Sequence, residues 1–195
     1  MPRKTQRNTR GKIVSAAWKL FYEQGYEDTT VEDILALSGT SKGTFYHYFE
    51  GKDALLGTLS VLFDEKYEAL RADIPEGSIE ALLFLNRELF VMIENSVPLE
   101  LLGQLLSTQL TTRGEKHLLD RKRVYFRLLR EIVARGQQRG ELRADLTVGE
   151  IIKAYALMER ALLYDWCLCE GEYSLHKYSQ DLLGMFLKSY APPGK

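Results

Sequence analysis

Apolar positions along this 195-residue chain recur every three to four residues almost throughout, which predicts one helix after another. Between Gly11 and Gly25, Ile13, Ala16, Ala17, Leu20 and Phe21 share one face, and Gly25 is placed to end that helix. Thr30 reads as the next N-cap, with Asp33 adding a carboxylate to the first turn and Val31, Ile34 and Leu35 forming a short apolar face. Ser38-Gly39-Thr40 breaks the pattern, and Gly39 suits a positive φ. Ser41 reads as the cap of a third short helix, in which Phe45 and Phe49 stand one turn apart. Glu50-Gly51-Lys52 is the next break.

Longer helices follow. Leu55, Leu56, Leu59, Leu62 and Phe63 mark a long one that ends before Ile74-Pro75-Glu76-Gly77. Ser78 reads as the cap of a helix carrying Leu82, Leu85, Leu89 and Ile93. Pro98 fits the first turn of a helix with Leu101, Leu102, Leu105 and Leu106. A polar link near Thr112 to Glu115 leads to Leu118, Val124, Tyr125, Leu128, Leu129 and Ile132, with Gly140 as a stop. Two last helices span about Val148 to Cys169 and Leu175 to Tyr190, and Ala191-Pro192-Pro193-Gly194 reads as a tail. The expectation is an all-α chain of about nine helices: a three-helix head over 1–51 and a bundle of about six helices over 52–195.

Composition sharpens this only at the edges. At 45% apolar and 27% charged residues the chain is ordinary for a globular protein, so disorder is not expected for most of it. It has no run of 18 uninterrupted apolar residues, so no membrane-spanning helix is expected. The first residues lack an apolar signal core, and Cys167 and Cys169 are too few and too close for a disulfide scaffold; both point to a cytoplasmic protein. The net charge of −1 conceals an asymmetry: Arg3, Lys4, Arg7, Arg10, Lys12 and Lys19 precede the first acidic residue. Such a basic arm can neutralise phosphates, or it can be a solvated terminus.

Three short helices with a tight Gly-containing turn make a helix-turn-helix arrangement. Its second helix, about Val31 to Leu37, is expected across a DNA backbone and its third, about Lys42 to Phe49, in a major groove. Phe45 and Phe49 anchor the third helix, leaving Lys42, Gly43, Tyr46 and His47 largely on the other side. Gly43 permits close approach to base edges, and Thr44 offers a methyl and a hydroxyl that bases can meet. Tyr46, His47 and Tyr48 carry donors for phosphate oxygens, and Lys52 opens the next helix, where free N–H groups favour an anion. The competing reading of these aromatics is plain packing.

The run from Thr29-Thr30-Val-Glu-Asp-Ile34 through Ser38-Gly39-Thr40-Ser41-Lys42-Gly43-Thr44-Phe45-Tyr46-His47-Tyr48-Phe49 to Lys52-Asp-Ala-Leu55-Leu56 resembles the DNA-binding head of the tetracycline-repressor (TetR) family. The resemblance covers about residues 10 to 56; beyond it only length and helical plan agree. It implies an all-helical homodimer paired through its last two helices, with recognition helices one DNA turn, roughly 34 Å, apart. It implies a phosphate contact for Thr30, groove contacts for Lys42, Gly43, Thr44 and Tyr46, and backbone contacts for His47, Tyr48 and Lys52. Tyr48 stands where many members have His, Thr40 replaces a common Val and Ser38 a common Ala; the last two weaken the packing of the turn. It also implies an effector that shifts the long helix after Lys52 and weakens DNA binding.

The rest of the chain says less. Ile152, Tyr155, Ala156, Glu159, Leu162, Leu163 and Trp166 form one broad stripe, and Tyr178, Leu182, Leu183, Phe186 and Leu187 another; each can close a monomer core or a dimer interface. A pocket between the middle helices would draw on Phe63, Tyr67, Phe84, Phe90, Met92, Tyr125, Phe126, Tyr155, Met158 and Trp166. Asn86, Gln104, Gln109 and Glu159 are its polar candidates. Glu159, set in an apolar stretch, lines that pocket, pairs with a nearby Arg or faces solvent.

Cys167-Leu-Cys169 with His176 lacks the second pair that a zinc site needs, and residues two apart on a helix diverge. Gly39-Thr-Ser-Lys-Gly43-Thr has the wrong spacing for a phosphate loop. No Ser/His/Asp set or carboxylate pair has a recognisable spacing, so neither catalysis, cofactor nor metal is expected. The chain is expected to be a homodimeric repressor that binds an inverted-repeat operator in double-stranded DNA and is released by a small molecule. The alternative is a helical small-molecule-binding protein or enzyme whose head no longer binds DNA.

Overall fold

A computed structural model describes the backbone of residues 3–111 and 116–192, and side chains from Thr9 onward. All regular structure among these residues is helical, as expected. In order the helices are α1 (Arg3–Gln24), α2 (Val31–Ser38), α3 (Lys42–Tyr48), α4 (Lys52–Leu56), α5 (Leu59–Leu70), α6 (Ser78–Ser96), α7 (Leu99–Thr111), α8 (Val124–Gln138), α9 (Val148–Leu168) and α10 (Leu175–Lys188), with short 3-10 turns at Arg71–Asp73 and His117–Leu119. The long helix expected after Gly51 is broken at Gly57-Thr58; counted as one interrupted helix, α4 and α5 give the expected nine. The break changes which residues face inward: Leu59 and Phe63 are buried, whereas Leu62, expected beside them, is 41% exposed. The polar link over 112–115 and the tail from 193 lie outside the described residues.

Two compact units emerge: the chain up to Val61 with Glu100–His117, and Leu62–Leu99 with Leu118 onward. The division falls within α5, and α7 belongs to the first unit. One reason lies in the side chains. Trp18 Nε1 donates to Thr58 Oγ1 at 2.8 Å, and Gln104 Nε2 donates to Glu27 Oε1 at 2.6 Å, so both α7 and the segment after α4 are tied to the head. Ile13, Ala17, Phe21, Ile34, Phe45, Leu55 and Leu56 form the first unit's core.

In the second unit α10 lies along α6, and α8 packs on both α6 and α9. Close approach of α6 and α8 depends on Gly136, where a Cβ would meet Ser78 Oγ at 2.4 Å. Ser78 is not the cap of α6; Gly77 holds that position without a side-chain bond, and Glu141 Oε2 accepts from Ser78 N at 2.8 Å. Asp64 does the same for α8, accepting from Val124 N at 3.2 Å while pairing with Arg123 at 2.9 Å. Thr147 and Glu150 form a capping box that starts α9.

Candidate functional site

The head site is built by two caps and a tight turn. Thr30 Oγ1 accepts from Asp33 N at 3.1 Å, and Asp33 Oδ2 accepts from Thr30 N at 2.9 Å, which fixes the start of α2. Gly39, at φ 64°, ends α2 in the left-handed conformation, its N–H bonded to Leu35 O. Ser41 Oγ then accepts from Thr44 N at 3.2 Å and starts α3. Phe45 and Phe49 are buried with ring centroids 5.8 Å apart, so α3 is anchored by one face.

The opposite side of α3 carries the residues expected to meet DNA. Lys42, Gly43, Tyr46 and His47 are exposed, Tyr46 by 49%, and Thr44 and Tyr48 are half-buried. A Cβ added at Gly43 would meet nothing within 4 Å, so nothing among the described residues demands its small size. Thr44 Oγ1 lies 2.8 Å from Ser41 Oγ, which orients its methyl and hydroxyl. His47 and Tyr48 contact edge to face at 4.9 Å. Lys42 Nζ pairs with Glu32 at 3.1 Å in full solvent; the hydrogen bond between them lowers the Glu32 pKa and raises that of Lys42. Such an exposed pair is easily exchanged for another anion.

Two expected phosphate ligands are placed differently from the rest. Thr30 Oγ1 donates to Asp33 Oδ2 at 2.6 Å, so a phosphate there meets a carboxylate neighbour. Lys52 Nζ donates to the carbonyls of Tyr26 at 2.6 Å and Glu27 at 3.3 Å and sits 4.2 Å from the centroid of the Tyr26 ring. Tyr26 in turn bonds Asp53. Lys52 therefore braces the loop after α1, a role that sequence alone did not reveal. Of the basic arm, Arg10 lies over Phe49 at 5.3 Å, and Lys12 and Lys19 line an open groove beside Leu37 and Ser38. The side chains of Arg3, Lys4 and Arg7 lie outside the described residues.

The second unit brings together part of the expected pocket. Phe63, Tyr67, Phe90, Tyr125 and Glu159 line a cavity of about 50 Å³, joined by Arg123 and Arg160. Glu159 is buried away from solvent, and its oxygens are held by neutral donors among the described residues. Tyr125 donates to its Oε2 at 2.5 Å, Asn86 Nδ2 to its Oε1 at 2.9 Å, and Tyr155 lies 3.0 Å from Oε1 and 2.8 Å from Leu82 O. Asn86 Oδ1 accepts from Ser179 and Gln180, so α6, α8, α9 and α10 meet on this network. Burial raises the Glu159 pKa above its ordinary value; the three donors and the Arg160 charge oppose that rise. Tyr67, 1% exposed, has no hydrogen-bond partner for its hydroxyl among the described residues.

Other expected pocket residues lie elsewhere. Gln104 belongs to the head unit and bonds Glu27. Phe84 is half-buried beneath Arg87, 5.7 Å from its ring. Trp166 donates to Tyr173 O at 2.9 Å and closes the end of α9. Phe126 lines a separate cleft, and Asn86 and Tyr155 support Glu159 without lining its cavity. Cys167 and Cys169 are free and half-buried; burial raises the Cys167 pKa to about 11. No cluster of metal-ligating side chains occurs among the described residues.

The pattern that defines the bacterial regulatory proteins of the tetR family matches residues 13–59, from the second half of α1 through α4 with the turn between α2 and α3. Residues 13–59 form a head of the tetR-family type. The chain is 48% identical over 46 residues to an uncharacterized HTH-type transcriptional regulator of Lactococcus lactis subsp. lactis, a match spanning only 24% of each chain. It is 26% identical over 149 residues to the HTH-type transcriptional repressor DhaR of Mycobacterium sp. (strain GP1), covering 70% of this chain and 71% of that one. A TetR-family transcriptional regulator from Pectobacterium atrosepticum shares the fold with a TM-score of 0.75 at 18% identity, over 98% of both chains. FadR from Bacillus subtilis, solved with stearoyl-CoA, shares it with a TM-score of 0.68 at 22% identity, over 90% of this chain and 96% of that one. No single described helix is long and apolar enough to cross a membrane.

Proposed function

We propose that this protein is a tetR-family repressor that binds an inverted-repeat operator as a homodimer and leaves it when a small molecule binds the second unit. The observation that carries the reading is α3 itself. Phe45 and Phe49 hold it by one face while Lys42, Gly43, Tyr46 and His47 are exposed on the other with Thr44 half-buried beside them, and there is open space around Gly43. A helix held this way after a tight turn presents side chains to a major groove. Lys42 and His47 supply phosphate contacts, and Thr44 and Tyr46 meet base edges. Thr30, Tyr48 and Lys52 act at the backbone beside them, Lys52 mainly by holding the loop that carries Thr30.

Dimerisation is supported by apolar side chains that the isolated chain leaves in solvent. Leu157, Tyr164 and Leu168 recur along one side of α9, and Tyr178 and Met185 along α10, all about half exposed or more. The effector site is supported by the cavity around Glu159 and the unpartnered Tyr67 hydroxyl. The named function of DhaR supports repression, and the stearoyl-CoA in the FadR structure supports a small-molecule effector. Release requires that the effector bind the DNA-free state more tightly than the DNA-bound one.

The test is selection of random duplexes by the purified full chain, sequenced after several rounds at two salt concentrations. An enriched inverted repeat whose affinity falls as salt rises is expected. Recovery of no motif, with no binding even at low salt, would overturn the reading and leave the helical second unit as the functional part.

A further inference from the structure

A second concavity in the same unit differs from the Glu159 cavity in size and in charge. It lies between α8 and α9 and holds about 650 Å³, within the range of small-molecule sites. Phe126 and Ala134 on α8, eight residues apart, share one face; Ile152 and Ala156 on α9 share another. Phe126, Ile152 and Ala156 are buried and make an apolar floor. Arg130 stands between Phe126 and Ala134 along α8, and Lys153 and Arg160 flank Ala156 along α9. Arg121 completes the rim. The lining holds these four cations and no carboxylate among the described residues, and none of the four makes an ion pair with another described residue.

Cations scattered over a convex helix surface need no explanation. Four that line one concave wall do. Low-dielectric walls focus their field, and each one raises the free energy of its neighbours until an anion enters. The apolar floor adds a second requirement, because a simple anion leaves Phe126, Ile152 and Ala156 uncovered. We propose that the α8–α9 cleft binds an anionic amphiphile, with its acidic head on Arg121, Arg130, Lys153 and Arg160 and its apolar body on Phe126, Ile152 and Ala156. Ala156 and Arg160 also line the Glu159 cavity, so an occupant of the cleft presses on the wall of that cavity. The inference deepens the reading of this unit as the effector-binding part and rests on it.

Calorimetry on the full chain without DNA tests it, using decyl phosphate below its micelle concentration. Decyltrimethylammonium and inorganic phosphate are the comparison probes. Decyl phosphate is expected to bind about tenfold or more tightly than either. The double variant R130E/K153E is expected to lose about tenfold or more in decyl phosphate affinity. Arg130→Lys keeps the charge and is expected to retain the affinity. Both altered residues are exposed, so melting curves of the variants are expected to match the unaltered protein. Equal affinity for the cationic probe, or no effect of R130E/K153E, overturns the proposal. Association with anionic phospholipid vesicles but not with monomeric decyl phosphate also overturns it, since a membrane surface is then the ligand. Binding of decyl phosphate that leaves an operator complex intact supports the cleft and counts instead against the effector reading.

Discussion

The Glu159 carboxyl is buried beside Tyr67, Tyr125 and Tyr155 in the second unit, and that burial disfavours its charged form. Glu159 titrates above its ordinary value of 4.5, so the folded protein holds that proton more firmly than the unfolded chain does. The sign follows: this group favours folding below pH 4.5, and the contribution disappears as pH rises through the folded value. Glu159→Gln keeps the shape and cannot titrate. The melting temperature of the variant relative to the unaltered protein should therefore climb between pH 4.5 and 7, by a few degrees for about 1 kcal/mol. Parallel profiles would mean that the carboxyl does not change its charge over this range. The two lysines of the head separate in another way. Among the described residues Lys42 is bonded to exposed Glu32 alone, so Lys42→Ala should leave melting unchanged and lower the salt slope of DNA binding by about 0.9. Lys52→Ala should also lower melting by a few degrees, roughly 1 kcal/mol, since two carbonyls and the Tyr26 ring lose their cation. Thermal melting and salt titration of both variants distinguish the roles. The sequence marks Lys52 as a cation at a helix start; it gives no sign that Tyr26, 26 residues earlier, supplies the acceptor.

At the scale of elements, the turn between α2 and α3 departs from the pattern it resembles at two positions that meet in space. Ser38 Oγ and Thr40 Oγ1 lie 2.7 Å apart across Gly39. Read one at a time, each hydroxyl loosens an apolar turn; read together, they satisfy each other. A double-mutant cycle with Ser38→Ala and Thr40→Val should give a coupling of about 0.5–1 kcal/mol, with the double variant less destabilised than the sum of the singles. Additive effects would mean that the contact carries no energy. The elements themselves were largely legible, because caps and glycines act within a few residues: Thr30, Ser41, Gly25 and Gly140 stand where the sequence places them. What escaped is non-local. Glu141 caps α6 from 63 residues away, and Asp64 caps α8 from 60. The register of α5 escaped as well. Gly57 lies where a Cβ would meet the His117 ring at 2.6 Å, so close contact with a distant residue accompanies the break.

For the whole molecule, the proposed DNA-reading helix lies within one chain, whereas the proposed inverted repeat calls for two. A twofold operator requires a twofold protein, and the surface that provides the axis must be self-complementary. The exposed rows on α9 and α10 meet that requirement. Leu157, Tyr164 and Leu168 follow each other at intervals of seven and four, the spacing of a helix that faces another helix, and Tyr178 and Met185 repeat at seven. The proposed seam is only half visible in the sequence, since the same helices carry buried residues on the adjoining face and stripe width cannot divide core from interface. Leu157→Glu with Tyr164→Glu places carboxylates along the seam while leaving the buried face of α9 untouched. Sedimentation of the double variant should show a monomer with helical content and melting close to normal. Its affinity for a full operator should fall by about 100-fold or more, while its affinity for a single half-site should match that of the unaltered protein. A variant that remains dimeric and keeps its operator affinity would place the axis on another face, and the search would move to the remaining exposed apolar residues.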